Sequence, residues 1–126
     1  MDTRPRPNRS TVVIVDDDAA VRAALSFALE ADGYQVRAFE TAAAAFAAAD
    51  LGEADCLVID QNLPDEAGID LLARLRARGE RTPAVMITTN PGRNLVSRAL
   101  ALGAPLVEKP LLGDQLFACI RALTSS

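Results

Sequence analysis

From Val12 to the C-terminus, short apolar runs alternate with helical patterns five times over. Residues 12–15, 35–39, 56–59, 84–88 and 106–108 read as strands. The first, third and fourth are apolar on consecutive residues and rich in Val and Ile, as parallel strands covered on both faces must be. Between them, Val21, Leu25, Ala28 and Leu29 fall on one helical face, with Gly33 as the stop. Thr41 is placed to N-cap an alanine-rich segment over 42–50 that ends near Gly52. Ile69, Leu72 and Leu75 give a third helix stopped by Gly79. Leu95, Val96, Ala99 and Leu102 give a fourth stopped by Gly103, and Leu116, Ile120 and Leu123 give a fifth. Five strands and five helices in strict alternation predict a doubly wound α/β fold, a five-stranded parallel sheet with helices on both faces.

Sheets of this kind bind ligands beyond the carboxyl ends of their strands, where strand order reverses. Asp16, Asp17 and Asp18 follow the first strand, and Asp60, Gln61 and Asn62 follow the third. The fourth strand ends in Thr88 and Thr89, and the fifth runs into Lys109 and Pro110. In the flavodoxin-like order 2-1-3-4-5, strands one and three are neighbours, so Asp16, Asp17 and Asp60 share one crevice. Clustered carboxylates raise one another's pKa unless a cation neutralises them. With oxygen ligands only, the fitting cation is Mg²⁺. A carboxylate beside it can attack phosphorus to give an acyl phosphate, with Lys109 and Thr88 on the phosphoryl oxygens. Singly, each residue has a plainer reading: Asp18 as a helix N-cap, Asp16 or Asp17 likewise, Asp60 as the start of a turn, Thr88 as a strand residue, Lys109 as a surface lysine. The conjunction on one sheet edge is what points to a site.

Composition narrows the chemistry further. The chain of 126 residues is one domain's worth of sequence. It contains no histidine, and Lys109 is its single lysine. That excludes Ser-His-Asp and Cys-His catalysis, His-ligated zinc and a carrier phosphohistidine within these residues. A net charge of −4 argues against direct nucleic-acid binding. Cys56 and Cys119 lie far apart inside apolar runs and read as buried thiols of a reducing compartment. No stretch is long and apolar enough to span a membrane, nor is there the apolar core of a signal peptide, so a cytoplasmic location is expected. Residues 1–10, with Arg4, Arg6 and Arg9 between prolines, read as a disordered basic arm ahead of a domain over 11–124.

The motifs resemble those of the receiver domains of two-component response regulators, the CheY-like family, over about residues 11–124. VVIVDDDAAVRAAL resembles the family's first strand, acidic pair and first helix. LVIDQNLPDEAGIDLL resembles the phosphoacceptor strand and following loop, with Pro64 and Gly68. MITT and EKP resemble the fourth- and fifth-strand motifs. The resemblance implies that Asp60 accepts a phosphoryl group, that Asp17 ligates Mg²⁺ directly and Asp16 through water, and that Asn62 lends its backbone carbonyl. It implies further that Thr88 hydrogen-bonds the phosphoryl group, that Lys109 pairs with its oxygens, and that the Lys109–Pro110 peptide is cis. The donor would be a phosphohistidine on a sensor histidine kinase or histidine phosphotransfer protein. The response would be a switch in binding to a downstream protein, through the face of the fourth and fifth helices, or homodimer formation. The chain would act as an enzyme only on its own phosphoryl group.

Three positions depart from the family's pattern. Leu106 stands where an aromatic residue often reports phosphorylation, the stretch around Pro105 is one residue short, and Thr89 replaces the usual Ala or Gly. Two other readings stay open on the residues alone. One is a receiver-like binding module that works without phosphorylation. The other is a Mg²⁺-dependent aspartyl phosphatase of the haloacid dehalogenase type, although Asn62 stands where that family places a second acid and the order of the motifs differs. No GxxxxGK[ST] or GxGxxG follows the first strand, which removes the common nucleotide-binding readings.

Overall fold

The computed structural model describes residues 10–48, 53–109, 111 and 114–125. In chain order its elements are β1 (Thr11–Val15), α1 (Ala19–Ala31), β2 (Gln35–Phe39), α2 (Ala42–Ala47), β3 (Cys56–Asp60), α3 (Gly68–Ala77), β4 (Ala84–Thr88), α4 (Arg93–Ala101), β5 (Leu106–Glu108) and α5 (Gln115–Thr124). The expected arm over 1–10, apart from Ser10, lies outside the described residues. So do Asp50 and Gly52 at the end of the second helical segment, and Pro110 with its expected cis bond.

The five strands form one parallel sheet in the order β2-β1-β3-β4-β5, as the alternation predicted. Successive side chains of a strand point to opposite faces, so each strand feeds two cores. Val13, Val15, Leu57, Ile59 and Met86 pack with Ala42 and Ala45 of α2, Ile69, Leu71, Leu72 and Leu75 of α3, and Leu95 and Ala99 of α4. On the other face, Val12, Ile14, Cys56, Val58, Val85 and Ile87 pack with Leu25 and Leu29 of α1 and Leu116 and Ile120 of α5. β3 and β4 are buried along their whole length, which is why their sequences are apolar at consecutive positions, rather than every second one, up to the final Asp60 and Thr88. Burying each large aliphatic side chain contributes about 1.5–3 kcal/mol, and both layers together hold the sheet edge rigid.

Local signals set the element ends. Asp18 accepts from the N–H groups of Ala20 and Val21 and caps α1, and Thr41 Oγ1 accepts from Ala44 N. Gly33, which follows α1, takes a φ of 93°, a conformation that a side chain would strain. Two expectations need correcting. Val96 is 45% exposed rather than part of the buried face of α4, because Leu95 and Ala99 already fill the space against the sheet. Cys56 is buried, but Cys119 is only half-buried at the edge of its core layer, on α5.

Candidate functional site

The register of β1 against β3 assembles the site. Val15 pairs with Ile59, so the next residues, Asp16 and Asp60, leave the sheet at the same level. Asp60 pairs with Ile87, and Thr88 with Glu108, which brings Thr88 and Lys109 to the same edge. Asp16 and Asp60 are 1% and 3% exposed, while Asp17 faces solvent. One carboxylate oxygen from each of the three lies within 4.8 Å of the others.

Each predicted residue can now be placed. Lys109 Nζ donates to Asp60 Oδ2 at 3.2 Å and stands 3.7 Å from Asp16 Oδ2, so it spans the two buried carboxylates. Its own N–H donates to the Thr88 carbonyl at 2.7 Å, which fixes where its side chain starts. Asp60 Oδ1 accepts from Asn62 N at 3.2 Å. Thr88 is buried, and its hydroxyl oxygen accepts from Asn90 N at 3.3 Å; it contributes a side chain to this edge without a hydrogen bond to the carboxylates. Thr89 is exposed beside it. Leu106 packs onto the core layer of α2, α3 and α4.

Asp16 is held from three sides. Its N–H donates to the Phe39 carbonyl, Asp18 N donates to its Oδ1 at 2.9 Å, and Arg22 Nη1 donates to its carbonyl oxygen at 2.7 Å. Its Oδ2 is buried and accepts no hydrogen bond among the described residues, since Lys109 is too far for one. Burial pushes the Asp16 carboxyl above its ordinary range; the Asp18 N–H works against this, the charge of Asp60 adds to it, Lys109 opposes it and Asp17 adds again. Burial works against the Lys109 ammonium, but the Asp60 hydrogen bond and the charges of Asp60 and Asp16 outweigh it and raise its pKa. Lys109 is therefore one cation facing three carboxylates, which leaves the ionised cluster two positive charges short of balance. A buried, unpartnered carboxylate oxygen in an all-oxygen cluster is the donor set of a hard divalent cation, and the residues present fit one.

Three sets of contacts at or beside this edge carried no signal in the sequence. Arg22 reaches back to Asp16 from α1, Asp65 accepts from Ala42 N and Ala43 N at the start of α2, and Gln61 takes the first N–H groups of α3. Their partners lie six to 23 positions away with no repeating pattern, so only the folded chain reveals them.

Comparison with known proteins agrees with this geometry. The profile of the family described as response regulator receiver domain matches residues 12–121. The chain is 35% identical over 117 residues to the transcriptional regulatory protein FixJ of Azorhizobium caulinodans, covering 92% of this chain and 56% of that protein. It is 30% identical over 114 residues to the response regulator protein TodT of Pseudomonas putida, covering 90% and 50%. The chain thus spans about half the length of the curated relatives it matches. Among solved structures, the non-phosphorylated HemR receiver domain of Leptospira biflexa superposes with a TM-score of 0.86 at 25% identity, over 94% of this chain and 96% of that one.

Proposed function

This chain belongs to the response regulator receiver domains, and on that premise we propose that its acidic edge takes a phosphoryl group from a partner's phosphohistidine onto Asp60. Receiver domains take phosphoryl groups from histidine kinases and are generally not metabolic enzymes, which accords with a chain that contains no histidine of its own. The observation that carries the assignment to Asp60 is Lys109 Nζ, which spans Asp60 Oδ2 and Asp16 Oδ2 in a buried cluster of three carboxylates.

In the proposed step an Asp60 carboxylate oxygen attacks phosphorus while the phosphorus–nitrogen bond of the donor breaks. The bonding pair leaves with the imidazole nitrogen, and no proton is required from this chain. Lys109, already at Asp60, follows the new charge onto the phosphoryl oxygens as a point cation. The Thr88 hydroxyl accepts from Asn90 N through its oxygen and retains its own hydrogen to donate. Asp16, Asp17, Asp60 and the Asn62 carbonyl would hold Mg²⁺, which supplies charge neutralisation for the carboxylates and the transferred group. The partners proposed with this step are a sensor histidine kinase or histidine phosphotransfer protein upstream and a protein target downstream. That target would meet the face of α4 and α5, with Val96 and Leu100 exposed on α4, unless phosphorylation instead pairs two copies of the chain. A cytoplasmic setting belongs to the same proposal. Among the described residues, no helix is long and apolar enough to cross a membrane.

The test is incubation with a small acyl-phosphate donor, with and without Mg²⁺, followed by intact-mass measurement. One added phosphoryl group that requires Mg²⁺ and disappears in Asp60→Asn is the expected result. No gain under any condition would leave a binding module without phosphorylation as the reading, and continued turnover of a phosphate ester would favour a phosphatase.

A further inference from the structure

The first turn of a helix has N–H groups without partners inside the helix, and the residue before it normally supplies a side-chain oxygen. In α3 that residue is Ala67, which has none. Gln61 does the work instead, from the position directly after Asp60. Its carbonyl accepts from Gly68 N at 2.9 Å and its Oε1 accepts from Ile69 N at 2.9 Å, while its own N–H donates to the Ile87 carbonyl at 2.8 Å. One residue therefore ties the end of β3 to β4 on one side and to the start of α3 on the other. Between these ties the loop closes on itself through an antiparallel bridge from Asn62 to Ala67.

The helix start is pressed against the phosphoacceptor itself. A Cβ on Gly68 would lie 2.3 Å from the Asp60 carbonyl oxygen and 2.9 Å from Ile59 Cγ2, so only glycine permits this approach. The close approach of α3 to Asp60 thus depends on glycine at position 68, and the Gln61 amide fastens the helix start there. We propose that Gln61 is a positioning residue for the acidic edge: its side chain holds the loop that carries Asn62, and with it the Asp60 carboxylate, in the geometry that receives Mg²⁺ and the phosphoryl group. This rests on the reading of Asp60 as the acceptor. The Gln61 side chain is spent on Ile69 N, so its action on the site runs through the Asp60 and Asn62 backbone, as that of groups that support metal ligands does.

The test uses the full chain and four variants. Gln61→Met keeps the shape and removes the amide oxygen, Gln61→Asn keeps an amide that falls one methylene short, and Gln61→Glu keeps an oxygen at the same reach beside a helix N-terminus. Thr41→Ala removes a cap bond of the same kind from α2 and leaves the Gln61 contacts in place. Mg²⁺ alone is titrated calorimetrically, and uptake from an acyl-phosphate donor is then timed at saturating Mg²⁺. Gln61→Met and Gln61→Asn are expected to weaken Mg²⁺ binding on the order of tenfold and to slow uptake in step. Gln61→Glu should restore most of both, and Thr41→Ala should lower the unfolding midpoint while leaving both unchanged. Unchanged Mg²⁺ affinity in the methionine and asparagine variants would overturn the proposal, as would an equal loss in Thr41→Ala. A parent chain that binds Mg²⁺ yet takes no phosphoryl group would instead sink the acceptor reading, with the Mg²⁺ titration still deciding on Gln61. A parent chain that binds no Mg²⁺ overturns both.

Discussion

Asp16 and Asp65 are the same side chain in two neighbouring regions, and their surroundings treat them in opposite ways. Asp65 lies exposed in the loop after β3, and both its oxygens are used: Oδ1 accepts from Ala42 N at 3.0 Å and Oδ2 from Ala43 N at 2.8 Å. The Ala43 hydrogen bond is the largest effect; burial opposes it, and the Ala42 hydrogen bond adds to it, so the carboxyl is held below the ordinary range. Charges nearby are paired as well. Glu66 pairs with Arg74 and Glu80 with Arg78, and these two guanidinium groups flank the Phe46 ring, each 4.1 Å from its centre. Asp16 is buried with one oxygen that accepts no hydrogen bond among the described residues and has only the Lys109 ammonium at 3.7 Å, and its carboxyl is pushed up. A carboxylate whose oxygens are all taken by the protein clamps two elements together and has nothing left to bind with. A carboxylate kept buried and unpartnered costs stability, a cost that a ligand cation offsets. The difference separates the α2–α3 clasp, which is scaffold, from the β1–β3–β5 edge, which is site.

Substitutions can break this contrast. The largest effect is expected for Lys109→Met, which leaves Asp16 and Asp60 facing each other without their cation. Phosphoryl uptake, timed by intact mass, should fall by about a hundredfold while circular dichroism stays that of the parent. Uptake within a fewfold of the parent would show that the cation at this edge is dispensable. Asp16→Asn should come next, with an unusual sign. It keeps an oxygen for the Asp18 N–H and removes a buried charge, so without metal the variant should gain about 1 kcal/mol in urea unfolding while losing the stabilisation that Mg²⁺ gives the parent. A metal-free variant less stable than the parent would place Asp16 with the clasp rather than the site. The smallest effect is expected for Asp65→Ala, which should lower the thermal midpoint by a few degrees and leave the uptake rate close to that of the parent. Because the folded carboxyl of Asp65 is depressed, its contribution is present above the unfolded value of 3.8 and is lost as pH falls through the lower folded value. Thermal midpoints of parent and variant, followed across an acid series, should therefore converge only in strong acid. A constant gap would mean that Asp65 acts without its charge.

Much of this was legible before any coordinates. The unbroken apolar runs at 12–15, 56–59 and 84–88 mark strands covered on both faces, and a parallel sheet puts the residues that follow those strands on one edge. Asp16, Asp60 and Thr88 could be named because each directly follows or ends such a run, Asp17 because it comes next after Asp16, and Lys109 because it follows the fifth strand. Val96 was misplaced because a helical stripe read from sequence is wider than the space the sheet leaves, and Leu95 with Ala99 fills it. Cys119 was placed too deep for a similar reason, since apolar neighbours in sequence do not say how far from the sheet a residue on α5 lies.

Hydrophobic period and strand-end position, both local properties of the chain, determined the sheet, its two helical layers and the identity of the acidic edge. What they left open was everything that depends on distance across the fold. Only the tertiary structure decided that Lys109 spans Asp60 and Asp16, that Asp16 Oδ2 is left without a hydrogen bond, and that Asp65 is consumed by α2. Only it showed that Gln61, one residue past Asp60, accepts from the first N–H groups of α3. The reason is physical: periodicity fixes which face a side chain takes, whereas hydrogen-bond partners and burial are set by residues brought together from distant parts of the chain.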